Sequence, residues 1–173
     1  NIASVFIVAI LAFFPCVVGY CLYIHLQTQV KKPFSYFLSH HKGGASAFAR
    51  YLKMTLVKRR LAKRVFLDSD DLQNLDMVFD YVGSRSATIV LLCSEAVLSR
   101  PWCMGEIVTA HESKVALVSI IFPDFVHPEE EFIRTYGDAV DITCLVEHGI
   151  DEAMVQQALQ WLQEELTKTH ITW

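Results

Sequence analysis

Residues 87–107 read ATIVLLCSEAVLSRPWCMGEI, and this stretch decides the fold. Its first seven residues are nearly all apolar and rich in Ile, Val and Leu, which suits a strand covered on both faces, as parallel strands are. The remainder carries Trp102 and Glu106 four residues apart, so on a helix an aromatic plate and a carboxylate project from the same face. Working outward, short apolar runs recur at residues 34–39 (FSYFLS), 65–67 with their flanks, 115–122 (VALVSIIF) and, more weakly, 139–144 (AVDITC). Longer amphipathic runs alternate with them. Residues 45–57 place Phe48, Tyr51, Leu52 and Leu56 on one helical face, and Val155, Ala158, Leu159, Leu162 and Leu166 do the same near the C-terminus. Five strands with intervening helices predict a doubly wound α/β domain with a five-stranded parallel sheet. Ligands in that architecture gather outside the carboxyl ends of the strands. Four places qualify here: residues 39–46, 68–75, 94–106 and 123–127.

Composition bounds the rest. The chain has 173 residues, 53% apolar and 20% charged, and its mean hydropathy of +0.32 exceeds that of an ordinary soluble domain. The excess sits in residues 2–26, where 21 of 25 residues are apolar and none is Asp, Glu, Lys or Arg. Without that segment roughly 48% is apolar, the usual globular value. One domain's worth of core remains, which excludes collagen-like, mucin-like, disordered and disulfide-scaffold classes. Five cysteines, an odd number with no C-x-x-C pair, read as free thiols in a reducing compartment.

At about 1.5 Å per residue the apolar run exceeds the roughly 30 Å hydrocarbon thickness of a bilayer. Tyr20 and Tyr23 read as interfacial residues, and Lys31 and Lys32 as the stop. The rival reading, a signal peptide, lacks a small-x-small cleavage site before the lysines. We therefore expect a transmembrane anchor and its exit in residues 1–30 and a domain in residues 31–173, single-pass, with that domain in the cytosol by the positive-inside rule.

Charge is segregated along the chain. Residues 31–64 hold ten Lys or Arg and no acid, whereas residues 65–173 hold five bases and all nineteen acids. The basic stretch suits contact with anionic membrane lipid or head-to-tail docking of subunits. Nucleic acid is not an expected partner, because the remainder is strongly acidic and no recognition motif is present.

Three stretches carry candidate chemistry. Ser39-His40-His41-Lys42-Gly43-Gly44 follows the first strand and leads to a helix that Ser46 is placed to cap; its glycines and Lys42 suit a phosphate, and a plain polar turn is the alternative. No P-loop motif is present, and adjacent histidines rarely converge on a metal, so none is expected. Asp68-Ser69-Asp70-Asp71 suits either ribose hydroxyls or Mg²⁺, or simple helix capping, which weighs more. The third stretch is residues 94–106, where a lone helical glutamate such as Glu106 is most often a solvated residue, but its pairing with Trp102 suits a ribose or a nicotinamide ring.

Phe37-Leu38-Ser39-His40 after Pro-Phe-Ser-Tyr, Val65-Phe66-Leu67-Asp68 with its acidic loop, and Ser99-Arg100-Pro101-Trp102-Cys103-Met104-Gly105-Glu106-Ile107 resemble the first strand, second strand and W-C-x-x-E helix of TIR (Toll/interleukin receptor) domains. The resemblance covers about residues 33–168 and implies a flavodoxin-like fold, signalling by self-association with other TIR domains, and, for members with this glutamate, cleavage of NAD⁺ at the nicotinamide–ribose bond. It implies Glu106 as the catalytic residue and Ser39, His40, His41, Lys42, Gly43, Asp68, Asp70, Ser94 and Trp102 as substrate-binding residues, with NAD⁺ as substrate and no cofactor. Residues 68–75 would form a mobile loop closing the site. A non-enzymatic receptor or adaptor domain that recruits other TIR domains is the alternative. This chain departs from the pattern in carrying His40-His41 where members often carry Tyr-Arg or Phe-Arg, and in having no glycine in residues 71–76. The chemistry itself needs little, since nicotinamide leaves as a neutral molecule and requires no proton, unlike the alcohol of an ordinary glycoside. One carboxylate can then stabilise the oxocarbenium-like charge, a contribution worth several kcal/mol in an apolar setting.

Overall fold

A computed structural model describes residues 13, 17–20, 32–71, 77–168 and 170–172. The chain divides into two compact units, Asn1–Lys31 and Lys32–Trp173. In the first, residues 17–20 are helical. The expected span over residues 2–26 lies almost wholly outside the described residues, and among those described no helix is long and apolar enough to cross a membrane.

The second unit is built on five parallel strands, β1 (Phe34–His40), β2 (Val65–Leu67), β3 (Ser86–Cys93), β4 (Ala116–Ile121) and β5 (His170–Thr172), in the order β2-β1-β3-β4-β5. The central pair is in register from Phe34↔Ser86 to His40↔Leu92, so Ser39 and His40 end beside the last turns of β3. Between β1 and β3 the order reverses, and a crevice opens at such a switch point.

Helices cover both faces because alternate strand residues point to opposite sides. Leu38, Leu67, Val90, Leu92 and Ile120 face α1 (Lys42–Lys58), which buries Ala45 and Ala49 and packs Phe48, Leu52 and Leu56 against them. Phe37, Ile89 and Leu91 face the other way. There they meet α3 (Val78–Gly83), α4 (Pro101–Glu112) and α8 (Glu152–Lys168), while the short α2 (Asp68–Asp71) follows β2 directly. All five residues expected on the α8 face are buried, the valine and three leucines contributing roughly 1.5–3 kcal/mol each. The short helices α5 (Glu130–Arg134), α6 (Tyr136–Ala139) and α7 (Thr143–Val146) close the end of that layer. Cys93, Cys103 and Cys144 are free thiols.

Three expectations need correction. Residues 139–144 are not a strand: Asp141 Oδ1 accepts from the Thr143 backbone N–H at 2.9 Å and its hydroxyl at 2.6 Å, which starts α7 instead. The fifth strand is β5, whose Ile171 pairs with Ile120 of β4. Helix α1 begins at Lys42, with His41 at the N-cap position, so Ser46 lies within it and donates its hydroxyl to the Lys42 carbonyl. Tyr51 is 62% exposed, because the buried face follows residues 45, 49, 52 and 56 and the 3.6-residue period turns position 51 away.

Candidate functional site

Helix α4 begins with Pro101, whose fixed φ and missing N–H suit the first helical position. It then runs against the sheet with every residue from Cys103 to Val108 buried. Glu106 is therefore an acid inside an apolar layer, 7% exposed. Its Oε2 accepts a hydrogen bond of 2.5 Å from the Ser39 hydroxyl at the end of β1. Burial pushes the Glu106 carboxyl up to about 8, against the Ser39 hydrogen bond that favours the charged form; Asp68 adds to the rise and Lys42 opposes it. At neutral pH the group is mostly protonated.

Trp102, one turn earlier, is held by its neighbours. Its ring stacks on Phe79 with centroids 5.6 Å apart and meets the edge of His148 at 5.5 Å. Phe79 reaches this position because residue 105 is glycine: a Cβ there would lie 2.4 Å from Phe79 Cζ. The glycine between Trp102 and Glu106 thus makes room for the aromatic support.

The second wall comes from the end of β1, the start of α1 and α2. His40 is buried, with Nδ1 4.0 Å from Asp68 Oδ1 and no hydrogen-bond partner among the described residues. Burial lowers its pKa although Asp68 pulls the other way, so the imidazole is neutral near pH 7. Asp68 is tied to Lys42 at 3.1 Å and accepts the Ser69 backbone N–H at 2.7 Å. His41 lies over Gly43, where a Cβ would come within 3.1 Å of the ring; burial and the nearby Arg100 lower its pKa. Cys103 donates its thiol to the His40 carbonyl at 3.4 Å, joining the two walls.

These groups surround a cavity of about 460 Å³ lined by His40, His41, Lys42, Gly43, Asp68, Val78, Arg100, Pro101, Trp102, Cys103 and Glu106, within the size range of small-molecule sites. Two helix N-termini, of α1 and α4, meet at it, together with the exposed cations Lys42 and Arg100. Its mouth attracts anions while its floor holds a carboxyl. Larger hollows of about 720 and 650 Å³ lie elsewhere, lined by exposed glutamates and glutamines in one case and by residues 95–99 and 126–135 in the other. Neither contains a buried ionisable group.

Of the residues expected at the site, His40, His41, Lys42, Gly43, Asp68, Trp102 and Glu106 line one cavity, and Ser39 stands behind Glu106. Ser94 does not join them: its hydroxyl is buried without a partner among the described residues and lies 3.2 Å from where a Cβ on Gly44 would stand. Asp70 turns to α1 and pairs with Lys53 at 3.2 Å and Arg50 at 3.7 Å. Asp71 likewise takes Lys53 at 2.6 Å and the Leu67 backbone N–H at 2.9 Å, so these acids brace α2. The loop expected over residues 68–75 is described only as far as Asp71. Among the described residues no group of three or more His, Cys, Asp or Glu is arranged to hold a metal ion. Val78, Arg100, Pro101 and Cys103 also line the cavity; the last three stand in the W-C-x-x-E motif stretch, and none of the four was expected to bind. Arg100 left a signal, since it is a cation at the N-cap of a helix, where the dipole disfavours positive charge.

No family model and no curated protein matches the sequence. Among solved structures, the chain is similar to the TIR domains of the activated Roq1 resistosome, a structure that directly recognizes the pathogen effector XopQ. The TM-score is 0.56 at 16% identity, over 80% of this chain and 87% of that one. The likeness concerns the fold: the parallel sheet with its helices is a TIR fold.

Proposed function

We propose that this chain is a membrane-anchored TIR signalling protein that self-associates and cleaves NAD⁺ at its nicotinamide–ribose bond. The observation that carries the enzymatic reading is the Glu106 carboxyl on the cavity floor, with one oxygen held by Ser39 and an aromatic wall at Trp102. The W-C-x-x-E spacing supports it independently. The anchor reading rests on the length and apolarity of residues 2–26.

In this reading the nicotinamide ring lies beside Trp102, and Lys42 and Arg100 at the mouth take the pyrophosphate. Glu106 acts ionised, facing the positive charge that grows on the ribose as the C–N bond lengthens. The bond breaks with its electron pair going to nicotinamide, which departs neutral, and water then adds to the ribose carbon and loses a proton. Burial makes ionised Glu106 costly in the empty site, and the cationic substrate offsets that cost. The charge is thus spent where the transition state develops. His40, buried and neutral, shapes the wall without adding a charge.

The test is nicotinamide release from NAD⁺ by the full chain reconstituted in vesicles at high surface density. Release is expected from the native chain and not from Glu106→Ala. Equal release by both would remove Glu106 from the chemistry, and self-association without any release would favour the recruiting, non-enzymatic reading.

A further inference from the structure

The bases of residues 42–64 do two different things. Lys42, Arg50 and Lys53 are paired with Asp68, Asp70 and Asp71 near the carboxyl ends of the strands. Lys58, Arg59, Arg60, Lys63 and Arg64 follow at the opposite, amino end of the sheet, all exposed and, among the described residues, none in an ion pair, although Arg64 lies over the Phe34 ring at 4.7 Å. Of the acids near that end, Asp80 pairs with Arg85 at 2.6 Å, and Glu112 lies 3.3 Å from His111 on its own helix. Glu164 and Glu165 are beyond the far edge with Lys168.

The turn that presents these bases is conformationally costly. Arg60 donates its N–H to the Val57 carbonyl at 3.1 Å and Leu61 donates to Leu56 at 3.0 Å. This closes α1 with Arg60 in the left-handed region, at φ 55, where glycine is preferred. The same turn leaves Leu61 63% and Val57 47% exposed among the bases. It is also fastened to the start of β1: the Ser35 N–H donates to the Arg64 carbonyl at 2.8 Å, and the Ser35 hydroxyl accepts from the Lys63 N–H at 3.2 Å. These bases therefore stand where the domain's first strand begins, two residues after Lys32 and eight residues after the end of the apolar run of residues 2–26.

We infer that this end of the sheet is a docking face for an anionic lipid surface, its cations on the headgroups and Leu61 and Val57 at the headgroup level. Unpaired Lys and Arg beside a bilayer are attracted to anionic lipid, and apolar side chains among them add contact area. Docked this way, the domain holds its cavity at the other end of β1, about 20 Å from the lipid at roughly 3.3 Å per residue, open to the aqueous phase. The inference rests on the anchor reading for its proximity to lipid and is independent of NAD⁺ cleavage.

The test compares the full chain in nanodiscs of phosphatidylcholine with and without phosphatidylserine, reading backbone hydrogen exchange over residues 56–64. Exchange there is expected to slow several-fold only with phosphatidylserine. High salt should abolish the slowing, as should the triple variant Lys58→Glu, Arg59→Glu, Lys63→Glu, with exchange in β1 and β3 unchanged as a check on the fold. Equal exchange in the two lipids overturns the inference. Slowing in both that grows with protein density also overturns it, in favour of an acidic face on a second copy. A chain that associates only with the anionic discs and shows the slowing would sustain the docking face while removing the anchor.

Discussion

The two ends of the sheet treat charge in opposite ways. At the carboxyl end Glu106 is buried with Ser39 on one oxygen, Asp68 is tied to Lys42, and His40 is kept neutral by burial. At the amino end five exposed bases make no ion pair among the described residues. A buried charge must be paired or neutralised, whereas an exposed one need be neither. The first arrangement concentrates electrostatic effect over a few ångströms in an apolar setting. The second acts over about 10 Å and is screened by salt. Substitutions at the cavity should therefore alter chemistry and stability together, and those at the amino end should alter association while leaving the fold alone.

The largest effect expected is on rate. Glu106→Gln keeps the shape and the Ser39 contact but removes the negative charge, and nicotinamide release should fall about 10²–10³-fold, the usual loss for a group that stabilises a transition-state charge. The native kcat/KM, which reports the empty enzyme, should climb with pH and level off near the value of about 8 to which burial raises this carboxyl. A pH-independent rate between 6 and 8 would break the assignment of an ionised Glu106 to the chemistry.

The same residue should have the largest pH-dependent effect on stability, with the opposite sense. Its folded-state pKa of about 8 lies above the ordinary 4.5, so between those values the folded chain holds a proton that the unfolded chain releases. The stability that Glu106 contributes is then full below pH 4.5, declines as pH rises toward 8 and is flat beyond. Glu106→Gln should remove this slope and exceed the native chain by a few kcal/mol at pH 8, as chemical unfolding across pH would show.

Smaller effects sharpen the contrast. Gly105→Ala pushes a methyl into Phe79 and should cost about 1–3 kcal/mol, read as a lower Tm. Arg60→Gly relieves a left-handed arginine and should stabilise the domain by about 1 kcal/mol in denaturant unfolding. Lys58→Ala, exposed and unpaired, should stay within about 0.5 kcal/mol of the native chain. A large loss there would show that the amino-end bases are structural.

Much of the fold was legible because parallel strands covered on both faces must be apolar, and residues 87–93 and 115–122 are. The error at residues 139–144 came from reading a weak apolar run as a strand where Asp141 accepts two hydrogen bonds from Thr143 and a short helix begins. A local side-chain hydrogen bond of that kind leaves no periodic signature. The true edge strand is three residues long, too short to show a period of its own. Trp102 and Glu106 were legible from their spacing. Ser94 and Asp70 lie in the right stretches but point elsewhere, and no one-dimensional pattern says which of several adjacent acids faces a cavity and which braces a helix.

The sequence by itself determined the parallel α/β class, the pairing of an aromatic ring with a carboxylate on one helix, and the division into apolar, basic and acidic segments, because each depends on residue type and spacing along one element. The tertiary structure alone decided that Glu106 is buried against Ser39 and that Arg100 and Lys42 share a cavity mouth. It also decided that the basic segment splits into a paired half at one end of the sheet and an unpaired half at the other. Those facts depend on which residues meet from positions 17 to 67 apart in the chain, and burial and pairing, unlike charge, exist only once the chain has folded.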